Sequence, residues 1–351
     1  MAEIIMNVSQ FRGSHYDYGV HQGEQLKETH YMDNREYEWV KRRPKFQLDY
    51  DETKKLYMDI APSIWEELAG LQDSLKISDE SVLLNLAHYR VSPKDSGCSV
   101  FLDDDHFIRN YDYHPNTYDG VYKLFQPDAG RGYAHTGPAS RVTGRMDGMN
   151  EHGLVVGYNF MNRKTPFDGF TCFIISRFIL ETCRTAEEAR RLLANIPHRG
   201  GFSYIVQDKA NDSFIAETSP RNVIFRGSSI CTNHYEVMTW ENRRYMEDSL
   251  ERQDILTDIT YPTKESLKTL FTDEEKGLYV DNYKSWSGTI HTSYYNKNDL
   301  TTEFRVGNGD FHSFDFKKWL DGSDLGIDHF RSTIDTDLPF TTADWQRRKR
   351  V

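Results

Sequence analysis

Apolar residues in the first hundred positions recur at intervals of three and four, which is the period of an amphipathic helix. This pattern predicts a mainly helical N-terminal segment. Its predicted helices cover residues 15–27, residues 51–75 with a break at Pro62, and residues 78–89 with Ser78 or Asp79 as N-cap. Gly19 and Gly23 lie four apart in the first helix, so one helix face can approach another backbone closely.

The pattern changes after Pro93, where apolar and polar residues begin to alternate. The run CSVFL, the polar turn DDDH and the run FIRNYDY together predict a β-hairpin. If the turn centres on Asp104 and Asp105, Cys98 lies opposite Tyr111, within a residue either way. We therefore place the main internal boundary of the chain near residue 97.

Strands and helices both follow this hairpin. Further strands are predicted at residues 153–160, 202–207, 213–217, 222–226, 288–295 and 301–306, and further helices at residues 172–194, 242–257 and 263–271. Strands in the middle of the chain with helices on both sides imply a layered α+β domain with a largely antiparallel sheet. Beyond these strands, the charged segment to residue 351 resembles no pattern that predicts a structure.

Composition and charge argue against several classes of function. The formal net charge of -11 argues against a protein that binds nucleic acid, since phosphate neutralisation requires clustered Lys and Arg. The only dense basic cluster covers residues 347–350, and we interpret it as a solvated tail. The first residues lack the pattern of a signal peptide, and no apolar run approaches the roughly 18 to 20 residues that span a bilayer. We therefore expect a cytoplasmic protein.

The four cysteines, Cys98, Cys172, Cys183 and Cys231, are too few for a disulfide scaffold and form no CxxC pair that would bind zinc. Three of them lie in or beside apolar runs, where a free cysteine behaves as a small buried hydrophobic residue. Cys98 differs, because it follows a polar loop and begins the first strand of the hairpin.

Charged residues on the second strand of the hairpin come within reach of Cys98. In the predicted register, Arg109 and Asp112 can both meet the Cys98 end of the first strand. A neighbouring guanidinium lowers the pKa of a thiol and so favours the reactive thiolate. A slip of one residue would turn these side chains to the other face. The pattern alone therefore leaves open both a catalytic cysteine and a structural strand cysteine.

An ordered set of short motifs runs through the same part of the chain. They are Gly97-Cys98-Ser99, Arg109-Asn110-Tyr111-Asp112, the run GMNEHGL that leads to Tyr158-Asn159-Phe160, and Cys231-Thr232-Asn233-His234-Tyr235, preceded by Arg12-Gly13-Ser14, Tyr18-Gly19 and Gly23. In this order they resemble the C45 peptidase family, the group of the acyl-CoA:6-aminopenicillanate acyltransferase. That family is related to the choloylglycine hydrolases within the N-terminal-nucleophile (Ntn) hydrolases.

The resemblance implies a four-layer αββα Ntn-hydrolase sandwich and a nucleophile that self-cleavage releases. Cys98 would attack the Gly97 carbonyl, and water would then separate residues 1–97 from residues 98–351. The helical segment and the catalytic core would remain together as one folded domain. The new α-amino group, with an ordinary pKa of about 7.7–8.0, would act as the base for its own thiol.

The resemblance also implies a role for each site residue, position by position. Arg109 matches the arginine that lies against the thiolate, and Asp112 matches the aspartate that orients the α-amino group. Asn159 and Asn233 match the oxyanion-hole positions, where amide N–H groups meet the developing charge. Arg244 resembles the later active-site arginine of the family, although the arginine before it leaves this alignment open.

The implied function is that of a cysteine amidohydrolase or acyltransferase. It would act on a linear, non-peptide C–N amide bond through an acyl-thioester on Cys98. Its substrate would be a small-molecule amide or an acyl-CoA-like compound, and we expect no cofactor, metal, nucleic acid or membrane. A homo-oligomer is left open. The final residues lack an SKL-like peroxisomal address, which argues against a fungal peroxisomal role.

Two other interpretations are compatible with the motifs. The first is a non-catalytic binding protein with the Ntn fold, and the intact set of candidate site residues argues against it. The second is a papain-type thiol hydrolase that uses Cys98 with a histidine and stays uncleaved. The papain-type interpretation predicts an active uncleaved chain, whereas the leading interpretation predicts two fragments of unequal size.

Overall fold

The computed structural model describes residues 2–42, 45–90, 97–115, 118–161, 166–243, 246–275, 278–285 and 287–337. Within these ranges the chain forms ten α-helices and seventeen β-strands. Arg244, a predicted site residue, lies outside the described residues, as does most of the charged C-terminal tail.

The helices and strands alternate as follows along the chain. The helices are α1 His15–Lys27, α2 Tyr31–Arg42, α3 Tyr50–Ile60, α4 Pro62–Leu75, α5 Asp79–Asn85, α6 Cys172–Thr182, α7 Ala186–Asn195, α8 Glu247–Thr257, α9 Lys264–Thr272 and α10 Phe316–Leu320. The strands are β1 Ala2–Gly13, β2 Gly97–Leu102, β3 Phe107–Tyr113, β4 Val121–Pro127, β5 His135–Ser140, β6 Gly144–Arg145, β7 Asp147–Asn150, β8 Val155–Phe160, β9 Phe202–Gln207, β10 Ser213–Thr218, β11 Val223–Arg226, β12 Ile230–Cys231, β13 Asp281–Asn282, β14 Ser287–Asn296, β15 Thr301–Val306, β16 His312–Asp315 and β17 His329–Ile334.

The strands belong to two sheets. The first has the order β11-β10-β9-β8-β7-β5-β4-β1-β17, with β6 paired to β5. The second has the order β12-β2-β3-β14-β15-β16, with β13 paired to β14. Strand neighbours run antiparallel, with the exception of the parallel pair β1 and β4.

The two sheets pack face to face between two layers of helices. β2 and β14 of the second sheet contact β8 and β7 of the first. α6 and α7 cover the outer face of the first sheet, whereas α8 and α9 pack on the second. The order of layers is therefore helix, sheet, sheet, helix. This arrangement confirms the predicted α+β class and the four-layer αββα sandwich with mainly antiparallel sheets.

Helix ends follow the start and stop signals of the sequence. α1 has the predicted bounds, and Pro62 separates α3 from α4, in whose first turn its missing N–H is not needed. Ser78 caps α5, because its hydroxyl accepts a hydrogen bond from the backbone N–H of Ser81. The predicted helix 172–194 is interrupted, since Thr185 caps a new helix, α7.

The N-terminal segment is not entirely helical, which corrects the prediction for its first residues. β1 lies between β4 and β17 inside the first sheet. Ile4 and Met6 are buried and alternate with the exposed residues Glu3 and Ile5, so the period is two rather than three to four. β17 comes from the charged C-terminal segment, and its pairing with β1 brings the two ends of the described chain into one sheet.

The cysteines other than Cys98 have the positions that their apolar neighbours predict. Cys172, Cys183 and Cys231 are buried and free, and Cys98 is free as well. Cys231 pairs with Val100 at the edge of the second sheet, and Cys172 begins α6. No helix in the described ranges is long and apolar enough to cross a membrane.

Candidate active site

The nucleophile candidate lies at the start of β2, in the predicted hairpin with β3. The register pairs Cys98 with Tyr111 and Gly97 with Asp112, which confirms the predicted pairing. Side chains alternate between the two faces of a strand, so Arg109 and Tyr111 share the face of Cys98. This face lies between the two sheets, where all of these residues are buried.

Arg109 is the side chain that contacts the Cys98 sulfur. One guanidinium nitrogen, Nη2, lies 3.2 Å from Sγ and also donates to the carbonyl oxygen of Tyr158. The other, Nη1, donates to the carboxylate of Asp147 at 2.6 Å. The guanidinium carbon lies 4.9 Å from the ring centre of Tyr111, a cation–π distance. The positive charge is therefore held firmly beside the thiol.

Asp147 is a buried residue of the site that the sequence pattern did not single out. Its Oδ1 accepts from the hydroxyls of Ser293 and Tyr295, and its Oδ2 accepts from Arg109 and from Nε2 of His291. Burial alone would raise the pKa of Asp147, but His291 and Arg109 hold that pKa well below its usual range. The available signal was an acidic residue directly before the GMNEHG motif.

The backbone of Cys98 is held by a second arginine. The Cys98 N–H donates to Oδ1 of Asn233 at 2.8 Å, and the Cys98 carbonyl accepts from Nη1 of Arg252 at 2.6 Å. Arg252 Nη2 also donates to Oδ1 of Asn233, at 2.9 Å. The sequence reasoning missed Arg252, which lies on the buried face of α8 with Ser249 and Leu256. An arginine at helical spacing between buried residues was the signal.

Asp112 lies against the predicted scissile peptide. Its Oδ1 accepts from the Thr289 hydroxyl at 2.8 Å, whereas its buried Oδ2 has no hydrogen-bond partner among the described residues. A Cβ added to Gly97 would lie 3.3 Å from this Oδ2 and 2.9 Å from Oγ of Ser287. Burial raises the pKa of Asp112 to about 6. A side chain at position 97 would crowd the side chains of Asp112 and Ser287.

The two predicted oxyanion residues both use their amide hydrogens on main-chain carbonyls. Nδ2 of Asn159 donates to the carbonyls of Cys231 at 2.9 Å and Thr232 at 3.1 Å, which ties β8 to the neighbouring sheet. Nδ2 of Asn233 donates to the Phe160 carbonyl at 2.9 Å. In these hydrogen bonds the amide hydrogens of both residues are directed at carbonyl oxygens and not at the Cys98 sulfur. The oxyanion role of Asn159 and Asn233 stays a prediction.

The environment of the thiol favours its protonated form in the intact chain. Cys98 is completely buried, and burial raises the pKa of its thiol to about 11 against the opposing charge of Arg109. At neutral pH the sulfur therefore requires a base before it can act as a nucleophile. In the described part of the chain, no group of three or more His, Cys, Asp or Glu side chains is placed to hold a metal ion.

A family profile described as "Acyl-coenzyme A:6-aminopenicillanic acid acyl-transferase" matches residues 102–310, more than half of the chain. The chain belongs to this family. The stretch shared with the acyltransferase family contains Arg109, Asp112, Asp147 and Arg252, and Cys98 lies just before it. Acyl transfer is the reaction named in the description of this family.

Solved structures with distant similarity include an acylase, a hydrolase and an amidase. The penicillin V acylase from Agrobacterium tumefaciens has a TM-score of 0.46 and 14% identity, over 63% of this chain and 86% of that chain. A variant of the conjugated bile acid hydrolase from Clostridium perfringens has a TM-score of 0.43 and 12% identity, over 70% of this chain and 99% of that chain. The N-acylethanolamine-hydrolyzing acid amidase ortholog from Caenorhabditis elegans has a TM-score of 0.39 and 13% identity, over 57% of this chain and 93% of that chain. No curated protein gives a significant match.

Proposed function

We propose that this member of the acyltransferase family is a self-processing cysteine Ntn amidohydrolase or acyltransferase. The observation that carries the proposal is the way in which the Gly97–Cys98 peptide is held. Arg109 contacts the sulfur, Asn233 accepts from the amide N–H, and Arg252 donates to the carbonyl of Cys98. A structural strand cysteine has no need of two buried arginines.

Self-cleavage would proceed through a thioester. The Cys98 sulfur adds to the Gly97 carbonyl carbon, the C–N bond breaks, and the departing nitrogen takes up the proton that the thiol has lost. Water then hydrolyses the thioester, which releases a carboxylate at Gly97 and restores the thiol. The new α-amino group can donate to the buried Oδ2 of Asp112, the oxygen that has no other described partner.

The mature site would then use the α-amino group as its base. Once the α-amino group has taken the thiol proton, the sulfur attacks the amide carbon of the substrate, and the departing amine receives this proton from the α-ammonium group. Arg109 stabilises the thiolate by charge, and Arg252 orients the backbone of the nucleophile. The acyl group on Cys98 then passes to water or to an acceptor amine. We propose a small-molecule, linear amide or an acyl-CoA-like thioester as the substrate.

The contacts of the histidines give the papain-type alternative little support. His234 shares a hydrogen bond with Ser249 at 2.9 Å, and Nε2 of His291 lies 3.0 Å from the Asp147 carboxylate. The neighbour that the structure gives for the Cys98 sulfur is an arginine. A thiol–imidazole pair, which that alternative requires, is absent from these contacts.

Intact mass and denaturing gels test self-processing. The wild-type chain should yield fragments of 97 and 254 residues, and N-terminal sequencing of the larger should read Cys-Ser-Val-Phe-Leu. Cys98→Ala should remain a single chain. A wild type that stays full-length after long incubation would contradict the proposal, and any other N-terminal residue would contradict the cleavage position.

Arg252 offers a second, graded test of the same site. Arg252→Met should slow processing at least about tenfold, because the bonds to Cys98 and Asn233 are lost. The matched control is Arg191→Met, since Arg191 is an exposed arginine of α7. Its processing rate should equal that of the wild type. Equal rates for the two variants would show that Arg252 has no part in the reaction.

The substrate class can be narrowed with a panel of amides. Acylated amines, acylated amino acids, bile-salt conjugates and penicillins would be incubated with the processed protein, and acyl adducts on the Cys98 peptide would be sought by mass spectrometry. Adding an acceptor amine separates acyl transfer from hydrolysis, because only transfer yields the new amide. A processed protein without any adduct or turnover would favour the binding-protein interpretation.

A further inference from the structure

The guanidinium of Arg109 lies in a clamp formed by one hairpin of the opposite sheet. β7 contributes the Asp147 carboxylate, and β8 contributes the Tyr158 carbonyl. These strands pair with each other, and Asp147 lies opposite Gly157 in their register. The two strands of one hairpin therefore both hold a single side chain of the other sheet.

Gly157 provides the space through which Arg109 passes. A Cβ at this position would lie 2.9 Å from Cδ and 3.3 Å from Nε of Arg109. The nearest atoms to that position therefore belong to the Arg109 side chain. An alanine here would displace Arg109 first, since the side chain can move more easily than the backbone.

The carboxylate of Asp147 is itself immobilised by the second sheet. Ser293 and Tyr295 donate to Oδ1, while His291 shares Oδ2 with Arg109. Four donors use the hydrogen-bonding capacity of one carboxylate, so its position is fixed to within a hydrogen-bond length. This rigidity passes to the guanidinium, whose Nη2 then lies 3.2 Å from the Cys98 sulfur.

We propose that Asp147 and Gly157 are positioning residues that hold Arg109 against the Cys98 thiol and thereby set the pH at which the thiol ionises. The inference rests on the proposed role of Cys98 as nucleophile and adds two residues and a function for the β7–β8 hairpin. It also accounts for the position of the GMNEHG motif, whose first three residues lie in β7 and whose last three lie in the turn that leads to β8.

Several charged or titratable groups surround the thiol, and the variants must leave them in place. They come from β3, β8, α6 and α8 and are Arg109, Tyr111, Asp112, Tyr158, Cys172 and Arg252. His291 of β14 contacts Asp147, the ion-pair partner of Arg109. A substitution that keeps every charge but moves Arg109 isolates the positioning effect. Asp147→Glu and Gly157→Ala both meet this condition.

The test is the rate of self-processing between pH 7 and pH 12 in these two variants, a range that includes the pKa of about 11 of the buried Cys98 thiol. Displacing Arg109 should move the midpoint of the profile upward by about one pH unit, which means about tenfold slower processing at pH 7. The rate should recover at high pH, where the thiol ionises without help. A purely structural role would instead lower the rate at every pH and leave the midpoint unchanged.

Val156→Ala is the matched control in the same hairpin. Val156 is fully buried, but it faces away from Arg109 because it alternates with Gly157. The Val156→Ala substitution should lower the free energy of unfolding and leave the midpoint of the pH–rate profile unchanged. A shift in Val156→Ala equal to that in Gly157→Ala would overturn the proposal. If Asp147→Glu fails to fold, Gly157→Ala decides alone, since its strain falls on a movable side chain.

Alkylation of Cys98 by iodoacetamide gives a readout that does not depend on cleavage. The modified residue is located by peptide mass spectrometry over the same pH range. If both variants cleave as the wild type does and their alkylation midpoints equal that of the wild type, the positioning role alone is overturned. A different result is that neither the wild type nor the variants cleave, while the alkylation midpoint of the variants still lies above that of the wild type. This result would support the positioning role and contradict self-processing.

Discussion

Asp112 combines a functional position with a cost in stability. Its carboxylate is completely buried, accepts one hydrogen bond from Thr289, and leaves the oxygen near Gly97 without a described partner. Burial raises the pKa of Asp112 from 3.8 to about 6. Because the folded-state pKa lies above the unfolded-state pKa, the stabilising contribution is present below pH 4 and is lost as the pH rises through about 6.

Replacing Asp112 by asparagine should therefore stabilise the chain at pH 8. In a Cys98→Ala background, which keeps both proteins uncleaved, Asp112→Asn should raise the free energy of unfolding in urea by up to about 3 kcal/mol at pH 8 and by little at pH 4. The exposed Asp321→Asn is the control and should show no gain at either pH. A loss of stability at pH 8 would contradict the buried, destabilised carboxylate.

Residues of the site differed in how far they could be predicted from the sequence. Cys98, Arg109 and Asp112 lie on two strands joined by a short turn, so the period of two and the turn position were enough to bring them together. Asp147 and Arg252 reach the same point from distant parts of the chain. No local pattern determines which face of a remote strand or helix meets the nucleophile.

At the scale of elements, α1 and α4 pack with their backbones almost in contact. A Cβ at Gly19 would lie 2.1 Å from the carbonyl oxygen of Glu67, and one at Gly70 would lie 2.1 Å from the carbonyl oxygen of Tyr16. The spacing of Gly19 and Gly23 predicted such an approach, and the structure confirms it. The partner helix could not be inferred, because the small-residue pattern does not identify what it contacts.

Gly19→Ala should separate these helices and destabilise the protein by about 3 kcal/mol, since the added methyl group meets rigid backbone. Urea unfolding followed by circular dichroism measures the loss. Gly227→Ala is the matched control, because nothing lies within 4 Å of an added Cβ there. It should change the stability by less than about 0.5 kcal/mol. Equal losses in both variants would contradict the close helix contact.

For the whole molecule, a buried ionic network joins the segment before Cys98 to the rest of the chain. Glu67 of α4 accepts from Gln22 at 2.7 Å and from Arg177 of α6 at 2.9 Å. Arg177 also donates to Glu181 at 2.6 Å. β1 adds a second link, since it lies between β4 and β17. We therefore expect the two products of cleavage to remain associated under native conditions.

Glu67→Ala should weaken this association strongly, because it removes one partner of the buried guanidinium of Arg177. The expected loss is about 3–5 kcal/mol in the free energy of unfolding. The adjacent Glu66→Ala is a matched control, since Glu66 pairs with Arg131 at the surface and should cost at most about 1 kcal/mol. A smaller loss for Glu67→Ala than for Glu66→Ala would contradict the role of the network.

The sequence by itself determined the local features of this protein. Turn position, alternation and capping residues defined the hairpin that carries Cys98, the break at Pro62 and the cap at Ser78, because these depend on neighbours within a few residues. The tertiary structure alone decided how β1 enters the first sheet, how Asp147 and Gly157 hold Arg109, and how Arg252 reaches the Cys98 carbonyl. These contacts depend on which faces meet when two sheets and their helices stack, and burial of the whole core selects that arrangement.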